Sequence, residues 1–176
     1  KIHLVPFGEY IPLRNKFTTI ANFLSLKDFS SGNIKPNFTL KGLGQIVTLI
    51  CYEILFTEEV ISRLSKNTNL LINITNDAWF GNSSGPYQHF ISSRFRAIEQ
   101  GTPVFRSANT GISAIIDPYG RVIDLVELES KGSIVSPLAK KTNETFYSKV
   151  GDFLFFSVLI LTLIIMVLLK KKKNYG

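Results

Sequence analysis

The sequence has few of the residues that build disulfide frameworks and metal sites. Among its 176 residues there are one cysteine, Cys51, and two histidines. One cysteine cannot form a disulfide within the chain, and one cysteine with two histidines fits none of the usual zinc-site spacings. We therefore expect neither a disulfide-stabilised fold nor a bound metal.

Acidic residues are also scarce, since 13 Asp and Glu face 20 Lys and Arg and give a formal net charge of +7. However, residues 170–173 are four consecutive lysines, and the rest of the chain holds 16 basic against 13 acidic residues. A protein that binds nucleic acid usually carries a basic patch or stripe. Because the remaining excess is small, we expect no nucleic-acid partner.

Long apolar runs are missing until the end of the chain, where residues 153–169 contain no charged side chain. As a helix this run would span about 25 Å, and the lysines after it can reach the interface of a hydrocarbon core of about 30 Å. We therefore predict a transmembrane helix with a basic tail in residues 151–176, after a folded domain in residues 1–150. A buried core helix is the alternative. The terminal lysines favour a cytoplasmic carboxyl end.

The cysteine follows a short run of strand type. Residues 46–50 are Ile-Val-Thr-Leu-Ile, and Cys51, Tyr52 and Glu53 come next. A buried strand that ends on a cysteine holds the thiol at the rim of a sheet, where it can act as a nucleophile. A lone cysteine is also commonly a small buried hydrophobic residue. This pattern by itself leaves both interpretations open.

Strand-like and helix-like segments alternate along the chain. A short strand and a loop with Pro6, Gly8 and Pro12 open the sequence, and a helical stripe follows in residues 15–25. Residues 27–44 read as a long loop of the kind that forms lids. Thr57 resembles a helix N-cap. Further strands are predicted at 70–75, 103–107, 112–116 and 122–126, with a helix at 87–100. This order predicts an α/β domain with a mixed sheet that ends in a hairpin.

Several short motifs occur together in one order. They are the first twelve residues, Ile50 to Glu53, Asn76 to Gly81, Gln88-His89, Arg96 to Glu99 and Asn109 to Gly111. Together they resemble the apolipoprotein N-acyltransferase family of the nitrilase, or carbon-nitrogen hydrolase, superfamily. The resemblance covers nearly the whole chain. It implies the carboxyl-terminal part of a nitrilase-type α/β/β/α sandwich, followed by one transmembrane helix.

The resemblance also implies a catalytic Glu-Lys-Cys triad. Cys51 matches the nucleophile and Lys1 the lysine, while Glu9, Tyr52 and Glu53 match further residues that the family needs for activity. The general-base Glu of the family precedes the lysine, and Glu9 matches a different position. We therefore expect this chain to be a carboxyl-terminal fragment that lacks the base and is inactive alone.

The reaction implied by the resemblance is acyl transfer without a metal or cofactor. A phospholipid such as phosphatidylethanolamine would give its acyl group to Cys51 as a thioester, and the amine of a diacylglyceryl-cysteine on an apolipoprotein would accept it. Phe7, Trp79 and Phe80 would either line the acyl-chain pocket or pack in the core. The implied location is the bacterial inner membrane, with the catalytic domain in the periplasm.

Two alternatives remain open at this point. A membrane-tethered amidase or nitrilase of the same superfamily would use water in place of the amine. A non-catalytic, membrane-anchored binding module would need no general base.

Overall fold

The computed structural model describes residues 1–14, 28–33 and 37–174, with side chains up to residue 170. Within these ranges six strands form one sheet, in the order in which they occur in the chain. The strands β1 to β6 cover Asn37–Leu40, Gly44–Ile50, Thr68–Asn76, Val104–Asn109, Ser113–Ile116 and Val122–Val126. The helices α1 to α4 cover Thr57–Arg63, Gly85–Gln100, Phe146–Val150 and Phe153–Asn174, and two 3-10 helices cover Cys51–Leu55 and Asp77–Phe80.

The sheet is mixed, as the sequence predicts. The central strands β2, β3 and β4 are parallel, while β1, β5 and β6 pair antiparallel with their neighbours. Parallel neighbours require a crossover connection, and α1 and α2 provide the two crossovers. Each 3-10 helix follows directly on a parallel strand, so both lie at the carboxyl edge of the sheet, where α/β proteins usually bind their ligands.

The core lies between the sheet and the helices α1 and α2. Alternate residues of a strand face the same side, and the pairs Val47 with Leu49 and Leu71 with Asn73 are fully buried. Burying one such aliphatic side chain stabilises the fold by about 1.5–3 kcal/mol. The buried hydrophobic cluster consists of Val47, Leu49, Ile54, Val60, Leu71, Phe90, Ala97, Val104, Ile112, Ala114 and Ile116.

The opposite face of the sheet is covered less completely. Ile72 and Phe105 are half-buried and line a cavity of about 500 Å³ with residues 132–136, and Ile74 is 52% exposed. In a two-sheet sandwich such a face packs against a second sheet. The described residues therefore correspond to one helical layer and one sheet of the α/β/β/α arrangement.

Three local predictions are wrong, and the first is the short strand at the start of the chain, because residues 1–5 form no strand. Part of the expected loop at 27–44 is strand β1, which pairs Phe38 with Ile46 of β2, because cross-strand hydrogen bonds stabilise a segment that has no clear alternation of its own. Thr57 is the first residue of α1 and not its cap, and its hydroxyl accepts a hydrogen bond from Arg96. The helix predicted at 15–25 lies outside the described residues.

The apolar side chains of helix α4 are exposed from Phe153 to Leu169. Its segment Phe153–Lys170 has a mean hydropathy of 2.8 and none of it is buried. Within the residues that the structure describes, α4 is not a buried core helix. The helix is long and apolar enough to cross a membrane, by length and composition. An uncovered apolar surface of this size requires lipid or another protein segment to cover it.

Candidate active site

Cys51 lies where the chain leaves strand β2 and enters the first 3-10 helix. Its backbone is left-handed, with φ of +56°. A residue other than glycine rarely adopts this conformation, and such strained positions concentrate at active sites. The side chain is half-buried and the thiol is free. The sequence predicted the strand and the position of the cysteine at its end, but not the strained turn.

Asn73 of strand β3 holds this turn. One side-chain amide group donates two hydrogen bonds, to the carbonyl of Leu49 at 3.2 Å and to the carbonyl of Cys51 at 3.3 Å. Asn73 is completely buried. The turn that carries the thiol is therefore fixed from the neighbouring strand.

Glu53 connects the Cys51 turn to the first residues of the chain. Its buried carboxylate accepts hydrogen bonds from the backbone N–H groups of Ile50 at 2.7 Å, Ile2 at 2.6 Å and His3 at 3.0 Å. It also pairs with the guanidinium of Arg63 at 2.9 Å. Burial favours the neutral acid, but the hydrogen bonds from Arg63 and the backbone outweigh it and lower the pKa of Glu53 from 4.5 to about 2. The buried, ionised Glu53 thus holds residues 2 and 3 against the end of strand β2.

Lys1 lies at the end of the segment that Glu53 holds. Its ammonium contacts both carboxylate oxygens of Glu9 at 2.5 Å, and Glu9 accepts a further hydrogen bond from the N–H of Val5. Glu9 therefore orients the lysine that the resemblance assigns to the triad. Phe7, at the tip of the same loop, is 73% exposed.

Tyr52 packs its ring against two other rings. It stacks on His89 with ring centroids 5.2 Å apart and meets Phe80 edge-on at 5.9 Å. Burial, followed by the neighbouring Cys51 and Asp77, raises the pKa of the Tyr52 phenol, so the phenol stays protonated. Of the aromatic residues singled out from the sequence, Phe80 joins this cluster, whereas Trp79 is 77% exposed.

A buried ionic network behind Cys51 was missed by the sequence reasoning. The carboxylate of Asp77 lies 2.9 Å from Nδ1 of His89 and 2.6 Å from the guanidinium of Arg106. The same guanidinium also binds the side-chain oxygen of Asn73 and the hydroxyl of Ser93. All five side chains belong to residues that are at most 3% exposed.

Charge compensation keeps this network ionised. Burial opposes ionisation of Asp77, but the hydrogen bond to His89 and the positive charge of Arg106 outweigh it and lower the pKa of Asp77. Gly111, in one of the sequence motifs, packs so closely that an added Cβ would lie 2.3 Å from Asp77. Two signals of the network were present in the sequence: the motifs that contain Asp77 and His89, and the polar residues that alternate with Leu71 and Val104 along β3 and β4.

The fold and the cysteine at the strand end define a class of protein. Residues 1–145 match the carbon-nitrogen hydrolase family, and the chain belongs to this family. The structure is similar to that of a branch 10 member of the nitrilase superfamily from Saccharomyces cerevisiae, with a TM-score of 0.51 at 20% identity, over 62% of this chain and 42% of that one. This likeness supports the fold alone.

The curated relatives that the chain matches are named apolipoprotein N-acyltransferase. The chain is 42% identical over 176 residues to the apolipoprotein N-acyltransferase of Rhodopseudomonas palustris, covering 98% of this chain and 32% of that protein. It is 43% identical over 166 residues to that of Rickettsia prowazekii, covering 93% of this chain and 33% of that protein. The chain thus spans about a third of the length of the curated relatives that it matches.

Proposed function

We propose that the protein with this chain transfers a fatty acyl group from a phospholipid to the amino terminus of an apolipoprotein, through a thioester on Cys51. The observation that carries the proposal is the strained, doubly held turn of Cys51 at the carboxyl edge of the sheet. Relatives that are 41–43% identical and named apolipoprotein N-acyltransferase support the same reaction.

The first step is attack of the Cys51 sulfur on the ester carbonyl of the phospholipid. A free thiol has a pKa of about 8.5 and is mostly protonated near neutral pH, so it needs a base. The family resemblance implies that this base is a Glu that precedes Lys1 in the chain. The Glu takes the thiol proton, the carbon–sulfur bond forms, and the lysophospholipid leaves with that proton as the ester bond breaks.

The negative carbonyl oxygen of the intermediate needs donors that are already in place. Lys1, oriented by Glu9, supplies a positive charge. The N–H of Tyr52 supplies a second donor, because N–H groups in the first turn of a helix have no partner within that helix. Glu53 contributes by holding the segment of Lys1 against the Cys51 turn.

The second step decides between a transferase and a hydrolase. The α-amine of a diacylglyceryl-cysteine attacks the thioester carbonyl and forms the amide bond. The carbon–sulfur bond breaks, and a proton from the amine returns to the sulfur and restores the thiol. Water at about 55 M competes with this rare amine, so the site must exclude water and hold the amine in position. We propose that α4 crosses the bacterial inner membrane and keeps the periplasmic catalytic domain at the lipid surface, with the carboxyl end in the cytoplasm. The exposed Phe7 and Trp79 then contact the acyl chain.

The proposal is tested with the purified full-length protein and phosphatidylethanolamine that carries a labelled acyl chain. We expect label on Cys51 as a hydroxylamine-sensitive thioester, which moves to an added diacylglyceryl lipopeptide with a free amino terminus. Cys51→Ser should accumulate no thioester, and Lys1→Ala should form it more slowly.

Release of the label as free fatty acid at the same rate with and without lipopeptide would identify a hydrolase instead. A wild-type protein that binds lipid but never acylates Cys51 would support a non-catalytic binding module.

A further inference from the structure

We infer that Asn73 is a positioning residue that sets the direction of the Tyr52 N–H donor, and that the Arg106–Asp77–His89 network holds it in place. The inference deepens the proposed function and rests on it, because it concerns the oxyanion donor of the same Cys51 site. It assigns a role to the buried polar side chains that the proposed reaction itself does not use.

The argument starts from the peptide between Cys51 and Tyr52. This peptide is trans, so its C=O and its N–H lie in one plane and point in opposite directions. The amide of Asn73 donates to the Cys51 carbonyl at 3.3 Å. By fixing the carbonyl, Asn73 fixes the plane and turns the N–H of Tyr52 away from strand β3.

The second hydrogen bond of Asn73 makes this hold rigid. A side-chain amide has two N–H groups, and here they reach the carbonyls of Leu49 and Cys51, which flank the end of strand β2. Arg106 binds the amide oxygen of the same side chain. Every polar atom of the Asn73 amide is thus engaged, which leaves a single orientation for the group.

Arg106 is in turn held by a full set of partners. It pairs with Asp77 at 2.6 Å and donates to the carbonyl of Ile112 at 3.2 Å and to the hydroxyl of Ser93 at 3.2 Å. A buried guanidinium whose donors all have partners, as those of Arg106 do, is held in one geometry. The guanidinium of Arg106, which belongs to β4, therefore fixes the position of the Asn73 side chain on β3.

The network also contacts the side chain of Tyr52, through Asp77 and His89. Asp77 binds His89 at 2.9 Å, and the His89 ring stacks on Tyr52. Tyr52 is therefore held at its preceding carbonyl by Asn73 and at its side chain by His89. Both contacts start from the same carboxylate, so a single buried ion pair positions the residue that provides the oxyanion donor.

The substitution Asn73→Asp separates this role from simple packing. Aspartate has the same shape and keeps an oxygen for Arg106, but it has no N–H to donate to the Cys51 carbonyl. Asn69→Asp is the matched control. Asn69 lies at the other end of the same strand and donates in the same way to a backbone carbonyl, that of Leu43 at 3.0 Å.

The experiment compares two reactions of the same sulfur in the full-length protein. Acylation by labelled phosphatidylethanolamine passes through an oxyanion, whereas alkylation by iodoacetamide does not. Mass spectrometry of the Cys51 peptide measures both rates. We expect Asn73→Asp to slow acylation about 10- to 100-fold, because loss or misplacement of one oxyanion donor has effects of this order. Alkylation should stay within about twofold, and Asn69→Asp should leave both rates unchanged.

A second variant tests the same inference if Asn73→Asp does not fold. Arg106→Lys keeps the charge beside Asp77 but loses the planar, multidentate hold on Asn73, so acylation should again fall more than alkylation, while thermal unfolding remains cooperative. Parallel losses of acylation and alkylation would overturn the inference, because they indicate a displaced thiol. Unchanged acylation in Asn73→Asp would overturn it as well. A wild-type protein that never acylates Cys51 would refute the proposed function first, and the inference with it.

Discussion

Two of the asparagines of strand β3, Asn69 near its amino end and Asn73 in its carboxyl half, have different surroundings. Asn69 is half-buried and donates to the carbonyl of Leu43, which lies in an exposed turn. Asn73 is buried, serves two carbonyls and is bound by a buried arginine. Near the amino end of the strand, Asn69 makes an ordinary hydrogen bond that water can reach. Toward the carboxyl end, the strand lies beside the buried pair of Asp77 and Arg106 and the left-handed backbone of Cys51.

This difference indicates where the fold carries features that stability alone does not require. Removing charges from water costs several kcal/mol per ion, and well-packed hydrophobic residues often replace a buried pair without loss of stability. Asp77 with Arg106 and Glu53 with Arg63 are both such pairs, and both adjoin the Cys51 turn. Their position indicates that they serve the geometry of the site.

The largest effect is expected from removing the charge of Asp77. In Asp77→Asn the buried Arg106 loses its carboxylate partner, and breaking such a pair costs about 3–5 kcal/mol. Glu144→Gln is the control, because Glu144 and its partner Lys149 are both more than half exposed, and an exposed pair contributes about 0–1 kcal/mol. Denaturant unfolding of the two variants measures the contrast. Equal losses in both variants would mean that the Asp77 pair is solvated.

The sequence was sufficient for part of this picture. Apolar runs located the parallel strands and α2, and the run before Cys51 placed the thiol at the end of a strand. The network could not be found in this way, because Asn73 and Arg106 are 33 residues apart and meet only through the pairing of β3 with β4. A polar residue within a strand normally indicates a solvent-facing position. Here the strand faces that point toward the core carry the polar residues Asn73 and Arg106 next to the Cys51 turn.

The second effect, on acid stability, concerns Glu53. Its pKa is about 2 in the folded state, against an ordinary value of 4.5, so its stabilising effect is complete above pH 4.5 and is lost as the pH falls through about 2. The shift corresponds to about 3 kcal/mol. Because other carboxylates titrate in the same range, wild type is compared with Glu53→Gln. The stability difference between them should shrink by about this amount between pH 5 and pH 2. A constant difference would show that the pKa of Glu53 is the same in the folded and unfolded states.

The third effect separates the ring of Tyr52 from its hydroxyl. Tyr52→Phe keeps the stacking on His89 and the contact with Phe80, while Tyr52→Leu removes both. Aromatic pairs contribute about 0.5–1.5 kcal/mol beyond burial, so the leucine variant should lose about 1–2 kcal/mol and acylate Cys51 more slowly. The phenylalanine variant should stay close to wild type in stability. Slow acylation in Tyr52→Phe at unchanged stability would instead assign the hydroxyl a direct role.

The smallest effect is expected at the amino end of β3, from Asn69→Ala. This change removes one hydrogen bond to the Leu43 carbonyl, and a single hydrogen bond of this kind contributes about 0.5–1.5 kcal/mol. The carbonyl lies in an exposed turn, so water can replace the lost donor and the loss should fall at the lower end of this range. Thioester formation on Cys51 should not change, because six paired residues of β2, from Gln45 to Ile50, separate this turn from the cysteine. Denaturant unfolding and the acylation rate, measured on the same preparation, test both statements. If Asn69→Ala slowed acylation as much as Asn73→Asp, the contrast between the two ends of the strand would fail, and β3 would have to be treated as a single cooperative support for the site.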